Sequence, residues 1–405
     1  MGFNFFKRRN KEGIFLVLDI GTEAVKVLVC RKENNKTVIL GADIQYFERY
    51  GVFNGQDFAT EVIKKTILKA IVGAEQGFII YSERSKIKPN PVKFAPQLFN
   101  RANKEEWKKW PVLVTLPPDT LKAEIIEQTF RQKDSKKKMA RKEEKIILKQ
   151  VFKGAQEEIS QTFFKKFGIL PKDINWISFN ILNIKVDGYS VRWVQGYNGR
   201  ELKFKILVIF SPKYYFESAQ KILEGLKLRV FKIIHLTEVL PVVFGEKISD
   251  GIFIDVGGRI SQVFLLKNEE LMQFRELEKG GEIFTQKLSE TLGIDIVSAR
   301  IFKEKYASKQ LSPESEQRIR EIFLEEKRTW SEGLDIFSSP IFLFGGAGLL
   351  PEIREVLGES KVFYPKDLSS IEDTTNKLNV PQYTPSLLIA QFYGKEILRH
   401  NSSPR

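Results

Sequence analysis

The chain alternates short, continuous apolar runs with longer stretches in which apolar residues recur every three or four positions. The continuous runs predict buried strands at residues 14–19, 24–30, 37–40, 111–116, 123–130, 201–210, 230–235, 252–255, 263–266 and 341–344. Two more strands are expected around Asp187-Gly188, a pair suited to a hairpin turn. The spaced stretches predict helices at 58–70, 143–167, 216–226, 238–244, 281–292, 295–306, 313–332 and 351–357. Residues 85–110 break the pattern, with Pro89, Pro91 and Pro96 among many bases, and read as an excursion from the first domain. Strands and helices interleave, so the class is mixed α/β.

One piece of this pattern occurs twice. Asp19-Ile20-Gly21-Thr22-Glu23-Ala24 and Asp255-Val256-Gly257-Gly258-Arg259-Ile260 each follow an apolar strand and lead into a returning one. A distant repeat of one supersecondary unit implies two similar halves. Each half offers a glycine turn, which lets backbone N–H groups approach a phosphate, and one carboxylate beside it. Two such turns facing each other suit a polyphosphate with Mg²⁺, which takes one or two carboxylates. Thr22 and Lys26 add side-chain contacts of the phosphate-binding type. A third piece, Gly345-Gly346-Ala347-Gly348, joins a buried strand to a helix, where small residues admit a ring or ribose.

Composition narrows the classes. A length of 405 residues, 42% apolar and 29% charged, fits a soluble protein of two or more subdomains. No apolar run approaches the roughly 18 residues of a membrane span, and no secretory signal is visible. The single Cys30 excludes an internal disulfide framework, and with only His235 and His400 beside it a zinc site is not expected. The net charge of +14 concentrates in Lys7, Arg8, Arg9 and Lys11 and in the run 131–145. The plain reading of that second run is a solvated loop and helix start. No zinc-finger, RRM or KH pattern accompanies it, so nucleic acid is not the expected partner.

Together, the two hairpins and the glycine turn resemble the phosphate-1, phosphate-2 and adenosine motifs of the actin–Hsp70–hexokinase superfamily. The resemblance covers nearly the whole chain and is nearest to the bacterial FtsA/PilM branch. There, a Gly-Gly opening a helix resembles Lys279-Gly280-Gly281-Glu282, and an Ala-Glu-x-x-Lys helix by the ribose resembles Ala299-Arg300-Ile301-Phe302-Lys303. Gly41 and the segment 51–55 resemble the lead into the first helix of FtsA. The resemblance implies a two-lobe actin-like (ribonuclease H-like) ATPase fold with an inserted strand–helix–strand–strand (SHS2, 1C-type) subdomain. The expected division is a tail at 1–12; a first lobe at 13–85, 201–248 and 375–398; the insert at 86–200; and a second lobe at 249–374 with a short helical piece.

It also implies ATP and Mg²⁺. Asp19 and Asp255 would hold the metal, partly through water. Gly21, Thr22 and Lys26 would bind phosphate from one side, and Gly257 and Gly258 from the other. Gly281, Lys303, Gly345 and Gly346 would frame the nucleoside. Glu238 falls where relatives place a group near the attacking water, though a helix-start carboxylate is the plainer reading. Arg259 stands where FtsA has a third glycine and offers a guanidinium for phosphate; Gln262 and Arg300 also depart from the family pattern. These departures leave a slow ATPase or none, with nucleotide as a switch.

The role implied is a cytoplasmic scaffold at the inner face of the membrane. The first reading is FtsA-like, with a tubulin-like division protein as partner and self-polymerisation. The alternative is a PilM-like type IV pilus platform holding the tail of an inner-membrane protein, which the short piece after Tyr306 favours. Phe3, Phe5 and Phe6 beside Lys7, Arg8 and Arg9 form a candidate membrane or partner anchor. A sugar-kinase-type phosphotransferase is the remote alternative, and a basic lipid or nucleic-acid binder with a dead site a further one.

Overall fold

The computed structural model describes residues 13–33, 36–53, 58–84, 105–244, 248–332, 339–368 and 370–402. The N-terminal aromatic and basic tail lies outside them. Three sheets organise the chain. The first contains β1 (Ile14–Ile20), β2 (Ala24–Glu33), β3 (Lys36–Tyr46), β4 (Pro111–Thr115), β9 (Arg229–Ile233) and β15 (Ile371–Asp373), in the order β15-β3-β2-β1-β4-β9. The second contains β10 (Gly251–Val256), β11 (Ser261–Lys267), β12 (Glu270–Leu277), β13 (Ile341–Phe344) and β14 (Ser360–Val362), in the order β12-β11-β10-β13-β14.

The two sheets follow one course. β1 runs antiparallel to β2 and parallel to β4, and β10 runs antiparallel to β11 and parallel to β13. The repeat seen in the sequence is therefore a repeat of topology. All seven residues of β1 are buried, because the strand is central and covered on both faces.

Helices α1 (Thr60–Arg84) and α3 (Lys213–Gly225) cover one face of the first sheet. α1 runs well beyond the expected 58–70, passing through Gly73 and Gly77. A Cβ on Gly41 of β3 would lie 2.0 Å from the Ala74 carbonyl oxygen, so helix and strand meet backbone to backbone there. Helices α4 (Leu236–Phe244) and α9 (Thr384–Ser402) lie between the sheets, where Phe15 and Val17 share an apolar core with Phe253, Phe264 and Phe344. The far face of the second sheet is covered by α5 (Glu282–Leu292), α6 (Ile296–Ala307), α7 (Pro313–Ser331) and α8 (Pro351–Leu357), around Phe284, Phe323 and Trp330.

The third sheet, β5-β8-β6-β7, is formed by β5 (Lys122–Arg131), β6 (Ile174–Val186), β7 (Tyr189–Val191) and β8 (Glu201–Pro212). α2 (Arg141–Phe167) packs Ile147, Val151, Ala155, Ile159 and Phe163 against Phe204, Ile206, Val208 and Phe210. The order strand, helix, strand, strand is that of the expected insert, with β7 as an added edge.

Three domain boundaries are corrected by the pairing. β4, placed in the insert from sequence, belongs to the first sheet beside β1. β8, placed in the first lobe, is the centre of the insert sheet. β15, placed in the second lobe, pairs with β3 of the first. An apolar run reports burial on both faces but not which sheet a strand joins.

Candidate functional site

The hairpin β1–β2 is closed by the Gly21 N–H, which donates to the Ala24 carbonyl at 2.9 Å. Its register sets Asp19 opposite Lys26, and the Lys26 Nζ donates to Asp19 Oδ2 at 3.1 Å. Ser386 on α9 donates its hydroxyl to the same oxygen at 3.0 Å, so the buried carboxylate is held from two sides. In the hairpin β10–β11, Asp255 lies opposite Gln262. Gly345 follows β13 with φ +85°, and a Cβ there would lie 2.2 Å from Asp255 Oδ1. Glycine is required both by the backbone conformation and by the carboxylate beside it.

The two hairpin tips meet. The Arg259 N–H donates to Thr22 Oγ1 at 3.2 Å. A Cβ on Gly258 would lie 2.5 Å from the Glu23 side chain and 2.7 Å from Thr22 Oγ1. Behind the second tip, the Gly281 and Glu282 N–H groups donate to the Gly257 and Gly258 carbonyls at 2.9 and 2.8 Å. Lys303 on α6 donates to the Gly281 carbonyl at 2.9 Å.

Between the lobes lies a pocket with an empty volume of about 1040 Å³, open to solvent on one side. Asp19 and Asp255 both line it, from opposite hairpins. Gly21, Thr22, Lys26, Gly257 and Gly258 line it with them, as do Gly281, Lys303, Gly345 and Gly346. Two of the expected site residues are not among those lining it. Glu238 instead accepts from Asn180 Nδ2 at 3.1 Å and from the His235 N–H at 3.2 Å, with Lys232 at 3.5 Å. Arg259 turns its guanidinium to Asp119, 3.6 Å away, on the far side of the hairpin. Its backbone is not among the positive-φ residues, so the missing third glycine imposes no strain.

The pocket also recruits groups that no motif announced. Glu23, Tyr46, Glu304 and Gln382 line it. Glu23 is visible only as a neighbour of the first motif, and Gln382 and Ser386 come from a C-terminal stretch with no recognisable pattern. Glu23 Oε1 and Gln382 Oε1 are buried without a hydrogen-bond donor among the described residues. Arg300 stacks over Tyr46 at 4.7 Å and donates to the Phe47 carbonyl at 3.2 Å, crossing between the lobes.

Electrostatics differ between the two aspartates. Burial, with the Asp19 charge adding to it and Lys26 opposing, pushes the Asp255 carboxyl up to about 7. His235, also lining the pocket, is pushed down to about 3 by burial and then by Lys122, so its ring is neutral. The Thr237 N–H donates to His235 Nδ1 at 3.2 Å, the Thr237 hydroxyl lies 2.8 Å from the same nitrogen, and the Gln262 amide lies 3.2 Å from Nε2. Gln262 also donates to Glu276 at 3.2 Å, and Glu276 pairs with Lys122 of the insert at 2.6 Å. A polar chain thus runs from the pocket to the insert.

No family model matches the chain. The cell division protein FtsA of Streptococcus pneumoniae is 24% identical over 288 residues, covering 70% of this chain and 53% of that protein. The chain therefore spans about half the length of this curated relative. Among solved structures, the PilM–PilN type IV pilus biogenesis complex aligns with a TM-score of 0.63 at 15% identity, over 94% of this chain and 98% of that one. The ethanolamine utilization protein EutJ from Carboxydothermus hydrogenoformans aligns at a TM-score of 0.46 and 12% identity, over 94% and 90%, too loosely to carry weight. With its two sheets of one topology facing across a shared pocket, the chain has the actin-like ATPase fold, similar in sequence to FtsA and in fold to PilM.

Proposed function

We propose that the chain binds a Mg²⁺–nucleoside triphosphate, ATP by family resemblance, between its lobes and serves as a nucleotide-switched scaffold at the inner face of a membrane. The observation that carries this reading is the meeting of Asp19 and Asp255, from two equivalent hairpins, on one pocket. The donor set suits the metal: two hard carboxylate oxygens leave the remaining positions to phosphate and water. The raised pKa of Asp255 marks negative charge that a cation would relieve. A Cβ at Gly257, Gly258 or Gly345 would collide with Ile260, Glu23 or Asp255, so glycine is what lets these turns close at the edge of the pocket. Gln382 Oε1, without a donor, and Glu23 Oε1, with the Lys303 ammonium 4.0 Å away but no hydrogen bond, suit a ligand bringing O–H or N–H donors, as ribose and an exocyclic amine do. When bound, Mg²⁺ would supply charge neutralisation at the phosphates.

On this reading Gly21, Thr22 and Lys26 hold phosphate from the first lobe, and Gly257 and Gly258 from the second. Gly281, Lys303, Gly345 and Gly346 frame the nucleoside. A switch is preferred to fast turnover because the candidate water-orienting Glu238 is committed to Asn180, Lys232 and its own helix start. His235 and Gln262 are bonded to each other and elsewhere.

The assembly served is read as PilM-like. Support comes from the match over nearly the full length of PilM and from the described part of the second lobe, which holds only helices between β12 and β13. A second pocket of about 1200 Å³ empty volume has rings from Phe53, Phe163, Phe167 and Tyr215 on its wall beside the charged side chains of Asp119, Lys122, Arg259 and Glu278. Such a mixed lining suits an extended tail of a partner of the PilN kind that carries both aromatic and charged residues. The FtsA-like reading, with a tubulin-like division partner, rests on the sequence match to FtsA. Peptides from the two partner types, titrated against the protein, discriminate between them.

The nucleotide reading is tested by thermal shift. ATP with Mg²⁺ at a hundredfold excess over Kd should stabilise the protein by about 2.7 kcal/mol. Asp19→Ala should remove most of the shift and Lys137→Ala, far from the pocket, should not. An unshifted wild type would refute nucleotide binding while leaving the fold intact.

A further inference from the structure

The basic run near residue 135 reads in the sequence as a solvated loop, but the fold gives it company. The Met139 N–H donates to the Tyr197 carbonyl, and the Gly196 N–H to the Met139 carbonyl, both at 2.9 Å. The Gln132 N–H donates to the Arg200 carbonyl at 3.0 Å. The carboxylate of Asp187, at the β6–β7 turn, accepts from the N–H groups of Arg200 and Glu201 at 3.0 and 2.8 Å. Three segments distant in sequence therefore converge on one end of the insert.

That end carries large rings and unpaired bases together. Tyr189 is 80% exposed, Trp193 52% and Tyr197 44%. Around them, Lys133, Lys136, Lys138, Arg141 and Lys142 form no ion pair among the described residues, while Arg131 pairs with Glu201 at 4.0 Å and Lys137 with Glu143. The Arg192 guanidinium lies 5.6 Å over the Trp193 ring. The fold does not account for either feature. Bases at the start of α2 oppose the positive end of its dipole, and exposed rings gain nothing from the core. Residues 122–212 hold 19 bases against 10 acids, a surplus of +9 out of the chain's +14.

We propose that this end of the insert is a docking surface for an anionic lipid bilayer, with the rings at the headgroup boundary and the bases on lipid phosphates. Tryptophan and tyrosine favour that boundary because one end of the ring system is apolar and the other polar. Lysine and arginine reach phosphate while their stems stay on apolar surface. The shape favours a bilayer over a nucleic-acid strand. A Cβ on Gly188 or Gly196 would meet nothing within 4 Å, so both turns face open space. A single strand is held in a groove and stacks on open ring faces, whereas Arg192 occupies one face of Trp193. The surface is separate from the nucleotide pocket and does not rest on nucleotide binding.

The test is co-sedimentation of the full chain with phosphatidylcholine vesicles, with and without phosphatidylglycerol. Wild type should pellet only with the anionic vesicles, and less at high salt. Replacing Lys136, Lys137 and Lys138 together by Glu should weaken binding by a hundredfold or more, at about fivefold for each charge neutralised. Tyr189→Ser with Trp193→Ser should weaken it about tenfold at unchanged net charge, and unchanged melting temperatures would establish that both variants fold. Deletion of residues 1–12 controls for the basic tail. The proposal is overturned if wild type ignores anionic vesicles, or if that deletion abolishes binding while both insert variants bind as wild type does. It is equally overturned if an RNA oligonucleotide binds more tightly than the vesicles and displaces them.

Discussion

The substitution Asp255→Asn should stabilise the protein without ligand and cripple it with ligand. Asp255 is held at a pKa of about 7 against an ordinary 3.8, chiefly by burial. Between those values the folded state keeps a proton that the unfolded state has lost, so stability falls as pH rises and levels off above 7. At about 1.4 kcal/mol for each pKa unit, the charged carboxylate costs the folded state on the order of 4 kcal/mol at pH 8. Asparagine has nearly the same shape and carries no charge, so it should recover most of that cost. A chain of this length shifts its melting midpoint by about 1 °C per kcal/mol. Calorimetry without nucleotide should therefore place the variant about 3 to 4 °C above wild type at pH 8, with the gap shrinking toward pH 5. With Mg²⁺ and ATP the order should reverse, because wild type gains the ligand's stabilisation and the variant loses a carboxylate from the site. A variant that melts below wild type at pH 8 without ligand, or a gap that ignores pH, would refute the account of Asp255 as a carboxylate awaiting a cation.

Gly345→Ala should cost at least 2 kcal/mol in urea unfolding and remove the nucleotide-induced thermal shift, since its Cβ would press on Asp255 Oδ1 from a left-handed backbone. Lys122→Met should destabilise by about 2 kcal/mol by stranding the half-buried Glu276. Adding Glu276→Gln should return part of that loss, and a double-mutant cycle without coupling would show that the bond between insert and second lobe contributes nothing. His235 should produce an acid-side loss: its pKa is lowered, so stability drops as pH falls from about 6.5 toward 3. His235→Gln should flatten that part of the pH profile of urea unfolding.

Much of this protein is written locally. A central strand buried on both faces must be continuously apolar, and a tight return after it must carry glycine, so both hairpins and their aspartates were legible as sequence. The turn at Gly345 was legible for the same reason. Other features depended on partners that local pattern does not encode. β12 went unseen because Glu270–Leu277 lies at a sheet edge, where Met272 and Gln273 are exposed and the apolar signal is broken. β4 and β8 have ordinary strand sequences, and only the pairing decided which sheet each joined, since backbone ladders accept any strand; β15, just Ile371–Asp373, is defined by its pairing with β3 alone. Glu238 and Arg259 lie close to the motifs in sequence, yet their side chains turn to Asn180 and Asp119, which come from other parts of the chain. Gln382 reaches the pocket, and Ser386 reaches Asp19 behind it, because α9 and the turn before it pack between the lobes. The sequence by itself thus determined most of the central elements and the two carboxylate turns. The tertiary structure decided which side chains face the pocket, because that depends on distant segments sharing one buried space.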